Sequence, residues 1–201
     1  MTKQRIQSAL AAYAPRQLPP RHEGDAAVAL ILSGQTPALV LCVKSPHLRV
    51  HAGEVSFPGG KHEPVDDSSL ACAIRETEEE IGVQVRRDHC LGMLNQFQSL
   101  HGLRVTPWVF WHDDLGVPAP RDRELKRVFQ VPMPQLLRSP DGFDFSARRQ
   151  AIDQPYMPYW VDSGERIWGL TALILAHFLE VVWDHRIHYP SESAIHLPNT
   201  H

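Results

Sequence analysis

Three glutamates near the middle of the chain have the spacing that would let them act together on one ion. Glu76, Glu79 and Glu80 are three and four residues apart, so on a helix they share one face with Cβ atoms about 5–6 Å apart. Like charges repel at that spacing, and each carboxylate near the C-terminal end of a helix costs about 0.3–1 kcal/mol. A bound divalent cation would turn this repulsion into binding, because Mg²⁺ and Mn²⁺ take hard carboxylate oxygens. The cluster therefore indicates a metal site rather than an ordinary solvated face.

The residues around the cluster favour the same interpretation. A loop containing Gly53, Gly59 and Gly60 precedes the glutamates, and such a loop can bring its backbone close to a ligand. Arg75 lies four residues before Glu79, so the two side chains can pair and fix the position of the carboxylate. The pattern thus predicts an acidic helix that faces a phosphate-bearing ligand.

The elements that must position these residues can be predicted from apolar periodicity. Ser68 or Ser69 suits the start of the acidic helix and Gly82 suits the position just after its end. The apolar side that faces the core is formed by Leu70, Ala73, Ile74, Thr77 and Ile81. The other elements that we predict are a short helix in residues 1–14, strands at 25–32, 38–44, 91–97, 103–111 and 156–161, and a helix at 165–183. The segment 45–67 is predicted to be irregular.

Length and composition restrict the class of protein. The 201 residues suit one main domain, and the net charge of −3 gives no basic field for nucleic acid. The most apolar helical run, 167–179, is shorter than the ~20 residues of a membrane span. Three scattered cysteines favour buried thiols in a reducing compartment. We expect a cytoplasmic protein with a helical, proline-rich lead-in at 1–24, a main domain at 25–183 and a polar, histidine-containing tail at 184–201.

Residues 60–83 resemble the Nudix box. The chain supplies the box's fixed residues as Gly60, Arg75-Glu76, Glu79-Glu80, Gly82 and Val83. It departs from the usual pattern in a loop that is one residue longer, in an aspartate (Asp66 or Asp67) at the first acidic position, and in Thr77 at an aliphatic one.

The resemblance implies an α/β fold of the Nudix type, an α/β/α sandwich around a mixed β-sheet. It also implies a hydrolase that uses Mg²⁺ or Mn²⁺. Glu76 and Glu80 would then be metal ligands, Glu79 a ligand or a base, and the carbonyl of Gly60 a further ligand. Arg75 would belong to the catalytic machinery, and the proton acceptor stays open among Glu79, Glu80 and Glu124.

The stretch just before the box narrows the expected substrate. Residues 45–60 read SPHLRVHAGEVSFPGG and are similar to the additional signature of the coenzyme A diphosphatase subgroup, with Cys42 and Lys44 in place of its threonine and arginine. The likeness continues at 99–102, around Glu124 and at 168–171. The resemblance implies substrate-binding roles for Lys44, Arg49, His51, Gly53 and Gly59. It implies hydrolysis of coenzyme A or its derivatives to 3′,5′-ADP and 4′-phosphopantetheine.

Two other functions stay open at this point. One is a Nudix hydrolase of another nucleoside diphosphate derivative, such as ADP-ribose or a damaged dNTP. The other is a Nudix-fold module that senses a nucleotide without cleaving it. In each case we expect the protein to bind a small molecule and neither a nucleic acid nor a membrane. The oligomeric state stays open, and a homodimer is one of the alternatives.

Overall fold

A computed structural model describes residues 2–20, 24–145 and 156–189 of the chain. Its helices are α1 (Lys3–Ala12), α2 (Ser69–Ile81), α3 (Met133–Leu136) and α4 (Gly169–Trp183). Its strands are β1 (Asp25–Ser33), β2 (Ala38–Lys44), β3 (Val55–Ser56), β4 (Gly59–Lys61), β5 (Cys90–Met93), β6 (Phe97–Gln98), β7 (Arg104–His112), β8 (Leu125–Pro132), β9 (Gly142–Phe145), β10 (Tyr156–Asp162) and β11 (Glu165–Ile167). The predicted tail at 184–201 lies outside the described residues from position 190 onwards.

The main sheet is mixed. Its centre is a parallel pair, β1 with β7, and the other pairings in this sheet are antiparallel. Strand β2 pairs with β1 only at Leu32↔Leu39 and Ser33↔Ala38. The two strands then diverge, and the gap is occupied by β3 on the β2 side and β4 on the β1 side. This divergence opens the sheet beside the end of β2, where Lys44 lies.

Helices cover both faces of the main sheet. Side chains of β1 alternate between two cores, with Leu30 and Leu32 in one and Ala29 and Ile31 in the other, as the two-residue period of a strand requires. Helix α2 packs on the second core, whereas α1 and α4 pack on the first. The predicted α/β/α sandwich around a mixed sheet is therefore confirmed. A small sheet, in the order β11-β10-β9, adds to the layer that contains α4.

Most of the predicted elements are present, and two predictions are wrong in part. Residues 165–183 do not form one helix, because Glu165–Ile167 is a strand paired with β10 and the helix begins only at Gly169, which has a φ of 63°. Residues 91–97 do not form one strand either. The amide of Gln96 bonds to the carbonyl of Arg16 instead of continuing the ladder, so the run is split into β5 and β6.

Three regions contain strands that were not predicted, and one of these strands is β9. The segment predicted to be irregular, 45–67, contains the short strands β3 and β4. Strand β8 pairs with the whole length of β2, yet it carries charged and polar side chains that hide its period. Within the described parts of the chain, no helix has the length and hydropathy that crossing a bilayer requires.

Gly59 offers a test of the close approach between β4 and β1. Its φ is +149°, and a Cβ there would overlap the carbonyl oxygen of Ala27 and lie 2.7 Å from Cα of Val28. We expect Gly59→Ala to lower the free energy of unfolding by about 2–4 kcal/mol, since backbone strain and overpacking add. Urea unfolding followed by circular dichroism would measure it.

Gly164 provides the control for this measurement. It also has a positive φ, +80°, but nothing lies within 4 Å of a Cβ there. Gly164→Ala should therefore cost only about 1 kcal/mol, from backbone strain alone. Equal losses in the two variants would contradict the close approach at Gly59.

Candidate active site

Helix α2 is placed by strong local signals at both of its ends. The hydroxyl of Ser68 accepts a hydrogen bond of 3.2 Å from the amide of Ala71, which caps the first turn. At the other end Gly82 adopts the left-handed conformation, with a φ of 71°, as the residue after a helix commonly does. Both predicted boundaries are confirmed, so the three glutamates stand in the last two turns of the helix.

The C-terminal end of α2 is covered by a loop from far along the chain. The amide of Arg121 bonds to the carbonyl of Glu80 at 2.9 Å, and the amide of Ala119 bonds to the carbonyl of Ile81 at 3.4 Å. These bonds satisfy carbonyl groups that a helix leaves unpaired at its end. They also bring the loop's acidic residues to the site, so that Asp122 acts electrostatically on Glu80 and Glu124 on Lys44.

Glu80 is the most deeply placed of the three carboxylates. It is only 4% exposed, and its two oxygens bind Lys44 Nζ at 2.7 Å and the amide of Gly59 at 2.9 Å. Burial raises the pKa of Glu80 despite the opposing effect of Lys44. For Lys44 burial acts to lower the pKa, but the charge of Glu80 and the hydrogen bond to it raise the pKa overall. The site therefore compensates this buried negative charge only in part.

Glu76 and Glu79 are both bound by one guanidinium. Nη1 of Arg75 lies 3.1 Å from Oε1 of Glu76 and 2.9 Å from Oε2 of Glu79. Glu76 is partly buried, and burial raises its pKa against the lowering effect of Arg75. The side chain of Glu79 is 59% exposed. Arg75 thus orients the two carboxylates, and the structure gives it a positioning contact with the cluster.

Asp66, not Asp67, supplies the first acidic position of the box. Its carboxylate accepts hydrogen bonds from Nε and Nη2 of Arg75 at 3.0 and 2.9 Å, and its side chain is only 2% exposed. The hydrogen bond to Arg75 is the main reason that the pKa of Asp66 is lowered to about 2. Asp67 points elsewhere and pairs with Arg87 at the surface. The spacing in the sequence left both residues open.

The donors at this site fit a divalent cation. A Cβ on Gly60 would overlap the carboxylate of Glu76, so the backbone lies against that side chain in a space that only glycine leaves free. The thiol of Cys72 donates to the carbonyl of Gly60 at 3.7 Å. Carboxylate and carbonyl oxygens are the donors that Mg²⁺ and Mn²⁺ prefer, and two of the carboxylates are buried with incomplete compensation.

The carboxylates do not converge on one point in this structure. Among the described residues, no group of three Asp, Glu, His or Cys side chains is placed to hold a metal ion. Lys44 and Arg75 lie against the glutamate oxygens instead. The two cations therefore hold the positions beside the oxygens that an ion would also approach.

The predicted substrate-binding residues fall into two groups. Lys44 and Gly59 both contact Glu80 and so belong to the carboxylate site. Arg49, His51 and Gly53 lie on the exposed loop between β2 and β3, which the amide of Lys44 joins through a 2.9 Å bond to the carbonyl of Glu54. Glu124 is exposed, and its carbonyl accepts from the amide of Ser45.

Two residues that contact predicted site residues were not themselves predicted from the sequence. Asp122 holds the covering loop, because its Oδ1 accepts from the amides of Glu124 and Leu125; an aspartate two residues before a candidate base was the available signal. His101 lies edge to face against His51, with 5.5 Å between ring centroids. Its loop was noted in the resemblance, but nothing in the sequence joins it to His51.

Comparison with known proteins identifies relatives over most of the chain. A family model described as the NUDIX domain matches residues 22–152. A Yersinia enterocolitica protein named "Uncharacterized Nudix hydrolase NudL" is 36% identical over 146 residues, which are 73% of this chain and 74% of that protein. A Yersinia pestis protein of the same name is 36% identical over 157 residues, 76% of each chain. The crystal structure of a MutT/nudix family protein from Enterococcus faecalis is similar in fold, with a TM-score of 0.55 and 14% identity over 90% of this chain and 75% of that one.

The Asp66–Arg75 pair predicts a measurable dependence of stability on pH. The contribution of Asp66 is complete above the pKa of about 3.9 that an aspartate has in an unfolded chain and is lost as the pH falls through the folded value of about 2. At neutral pH we expect Asp66→Asn to lower the free energy of unfolding by about 2 kcal/mol. The difference from wild type, measured by urea unfolding, should narrow as the pH falls from 4 towards 2.

Asp67→Asn is the matched control, because Asp67 and its partner Arg87 are both exposed. Exposed ion pairs contribute little, so this variant should unfold like wild type across the same pH range. If Asp67→Asn lost as much stability as Asp66→Asn, the assignment of Asp66 to the box would be wrong.

Proposed function

Because the chain belongs to the NUDIX domain family, we propose that it hydrolyses the diphosphate bond of coenzyme A or its derivatives, releasing 3′,5′-ADP and 4′-phosphopantetheine. Nudix hydrolases act on small molecules and generally use divalent metal ions. The finer assignment of substrate rests on residues 45–60 and on where the fold puts them. Lys44, which immediately precedes this stretch, and Gly59, which lies within it, both bind the carboxylate of Glu80. That contact between the substrate signature and the box is the observation that carries the proposal.

Glu76, Glu79, Glu80 and the carbonyl of Gly60 would hold the metal. Mg²⁺ or Mn²⁺, when bound, supplies positive charge to the diphosphate oxygens and lowers the pKa of a water molecule. Glu76 and Glu80 are suited to this role because burial raises their pKa values, so added positive charge beside them is favourable. Glu79 is the most exposed of the three and adapts most easily to a ligand.

The protein's own cations have a separate role in binding. Coenzyme A carries a diphosphate and a ribose phosphate, and a site lined with carboxylates alone would repel it. Lys44 is half-buried beside Glu80, and Arg49 extends from the loop that follows. Both would offset phosphate charge on binding, and Arg75 would keep Glu76 and Glu79 oriented while the substrate binds.

The geometry narrows the choice of proton acceptor. Both oxygens of Glu80 are already bonded, to Lys44 and to Gly59. Glu80 is therefore better suited to binding the metal ion than to accepting a proton from water. Glu79 gives one oxygen to Arg75, and Glu124 is exposed on the loop that covers the helix end. We therefore assign the proton to Glu79 or Glu124, each of which has a carboxylate oxygen available to a water molecule.

Product identification tests the proposal directly. Purified protein incubated with coenzyme A and Mg²⁺ or Mn²⁺ should form 3′,5′-ADP and 4′-phosphopantetheine, as measured by chromatography and mass spectrometry. ADP-ribose is the comparison substrate and should be cleaved more slowly. Faster turnover of ADP-ribose would overturn the substrate, and binding of coenzyme A without any metal-dependent turnover would indicate a sensing module instead.

Substitutions on α2 test the metal-binding residues separately. Glu76→Gln and Glu80→Gln should each reduce kcat by about 100-fold or more, the scale for losing one group that stabilises transition-state charge. Glu78→Gln is the matched control, since Glu78 is on the same helix but exposed and bonded to Gln84, and it should retain wild-type turnover. Near-normal kcat in both Glu76→Gln and Glu80→Gln, with thermal unfolding unchanged, would refute the assignment.

A further inference from the structure

Two histidines from separate loops contact each other on the surface of the protein. The rings of His51 and His101 lie 5.5 Å apart between centroids, at an interplanar angle of 80°. His51 is on the loop between β2 and β3, and His101 is on the turn between β6 and β7. Both residues are exposed, so their contact is not a by-product of core packing.

The backbone of His51 is held in an unfavourable conformation. Its φ is 62°, in the left-handed region, and only two other non-glycine residues in the described parts of the chain share that sign. Those two are Ser163, in the tight turn before β11, and Asp184, which ends α4, so turn geometry explains them. His51 also opens a turn, because its carbonyl accepts the amide of Glu54 at 3.1 Å, and its Nδ1 lies 2.9 Å from Oε2 of Glu54. Backbone strain of this kind concentrates at binding sites.

The turn that carries His101 is well braced. The amide of Ser99 bonds to the carbonyl of Leu103, and the amide of Leu103 returns a bond to the hydroxyl of Ser99. Immediately after the turn, Nε and Nη2 of Arg104 bind both carboxylate oxygens of Asp25 at 2.7 and 2.6 Å. The ring of His101 is therefore presented from a fixed base.

The histidine pair is joined to the carboxylate site through Glu54. The side chain of Glu54 contacts His51, and its carbonyl accepts the amide of Lys44 at 2.9 Å. Lys44 in turn binds Glu80. These contacts connect the loop that carries His51 to the residue that binds Glu80.

We propose that His51 and His101 bind a phosphomonoester group of the substrate, separate from the diphosphate that is cleaved. This inference rests on the proposed function, because coenzyme A carries such a group on its ribose. Glu54 occupies Nδ1 of His51 and leaves Nε2 for a ligand, while Arg49 on the same loop adds positive charge. An imidazole N–H can donate a hydrogen bond to a charged phosphomonoester oxygen, and an uncharged ribose hydroxyl cannot match that bond.

Comparing coenzyme A with 3′-dephospho-coenzyme A tests the site. We expect wild type to favour coenzyme A in kcat/KM by about tenfold or more, the scale of one hydrogen bond to a charged group. His51→Asn, which tolerates the left-handed backbone, and His101→Asn should bring this ratio close to one, because only coenzyme A carries the phosphate group that the two rings would bind. His47→Asn, an exposed histidine on the same loop, should keep the wild-type ratio.

The outcomes separate this inference from the proposed function. If both substrates are cleaved but wild type shows no preference, or both variants keep it, the phosphomonoester site is wrong and the function stands. If neither substrate is cleaved, the function is wrong, and calorimetry with adenosine 3′,5′-bisphosphate and AMP still decides the site. Tighter binding of the bisphosphate that is lost in His51→Asn and His101→Asn would support it, and equal binding of the two nucleotides by wild type would overturn it.

Discussion

The buried carboxylate of Glu80 is the constraint on which the site depends. A carboxylate removed from water must be paired or hydrogen-bonded. The partners of this carboxylate come from two separate parts of the chain, and a third part binds the backbone carbonyl of the same residue. Lys44 closes β2, Gly59 begins β4, and the backbone amide of Arg121 binds the carbonyl of Glu80 itself. The end of β2, the start of β4 and the covering loop therefore all contact the same residue of α2.

A second set of contacts holds the helix from its other side. Arg75 joins Asp66, Glu76 and Glu79 and also donates to the carbonyl of Lys61. One guanidinium thereby ties the box loop to the helix face, which its planar fork of donors makes possible. Because Asp66 is buried, its pairing with Arg75 holds the box loop in place. Glu79 is exposed, so its side chain can move when a ligand binds. Such a division suits a site that must remain shaped while a charged ligand enters.

The sequence predicted what local signals determine and missed what long-range pairing decides. The ends of α2 were correct because Ser68 and Gly82 act within one turn of the helix, and β2 was correct because its apolar run is unbroken. Residues 165–167 were assigned to a helix because apolar periodicity cannot detect their pairing with β10. Likewise, spacing identified the three glutamates, but the choice of Asp66 over Asp67, the approach of Asp122 and the meeting of His51 with His101 follow from loops that only the folded chain brings together.

The lysine at position 44, where the similar signature has an arginine, is explained by the geometry around Glu80. A guanidinium would tend to bind both oxygens of the carboxylate in a fork, whereas an ammonium binds as a point charge. Lys44 takes only Oε1, which leaves Oε2 for the amide of Gly59. That amide can reach the carboxylate because the backbone at Gly59 runs against Ala27 and Val28, where no side chain would fit.

The lysine and the glycine therefore depend on each other. The ammonium of Lys44 binds one oxygen of Glu80 and leaves the second oxygen available, and the amide of Gly59 binds that second oxygen. The buried acid at the end of the helix is thus compensated only in part, because burial raises the pKa of Glu80 against the lowering effects of Lys44 and the amide of Gly59. A divalent cation at this position would add positive charge that opposes the effect of burial.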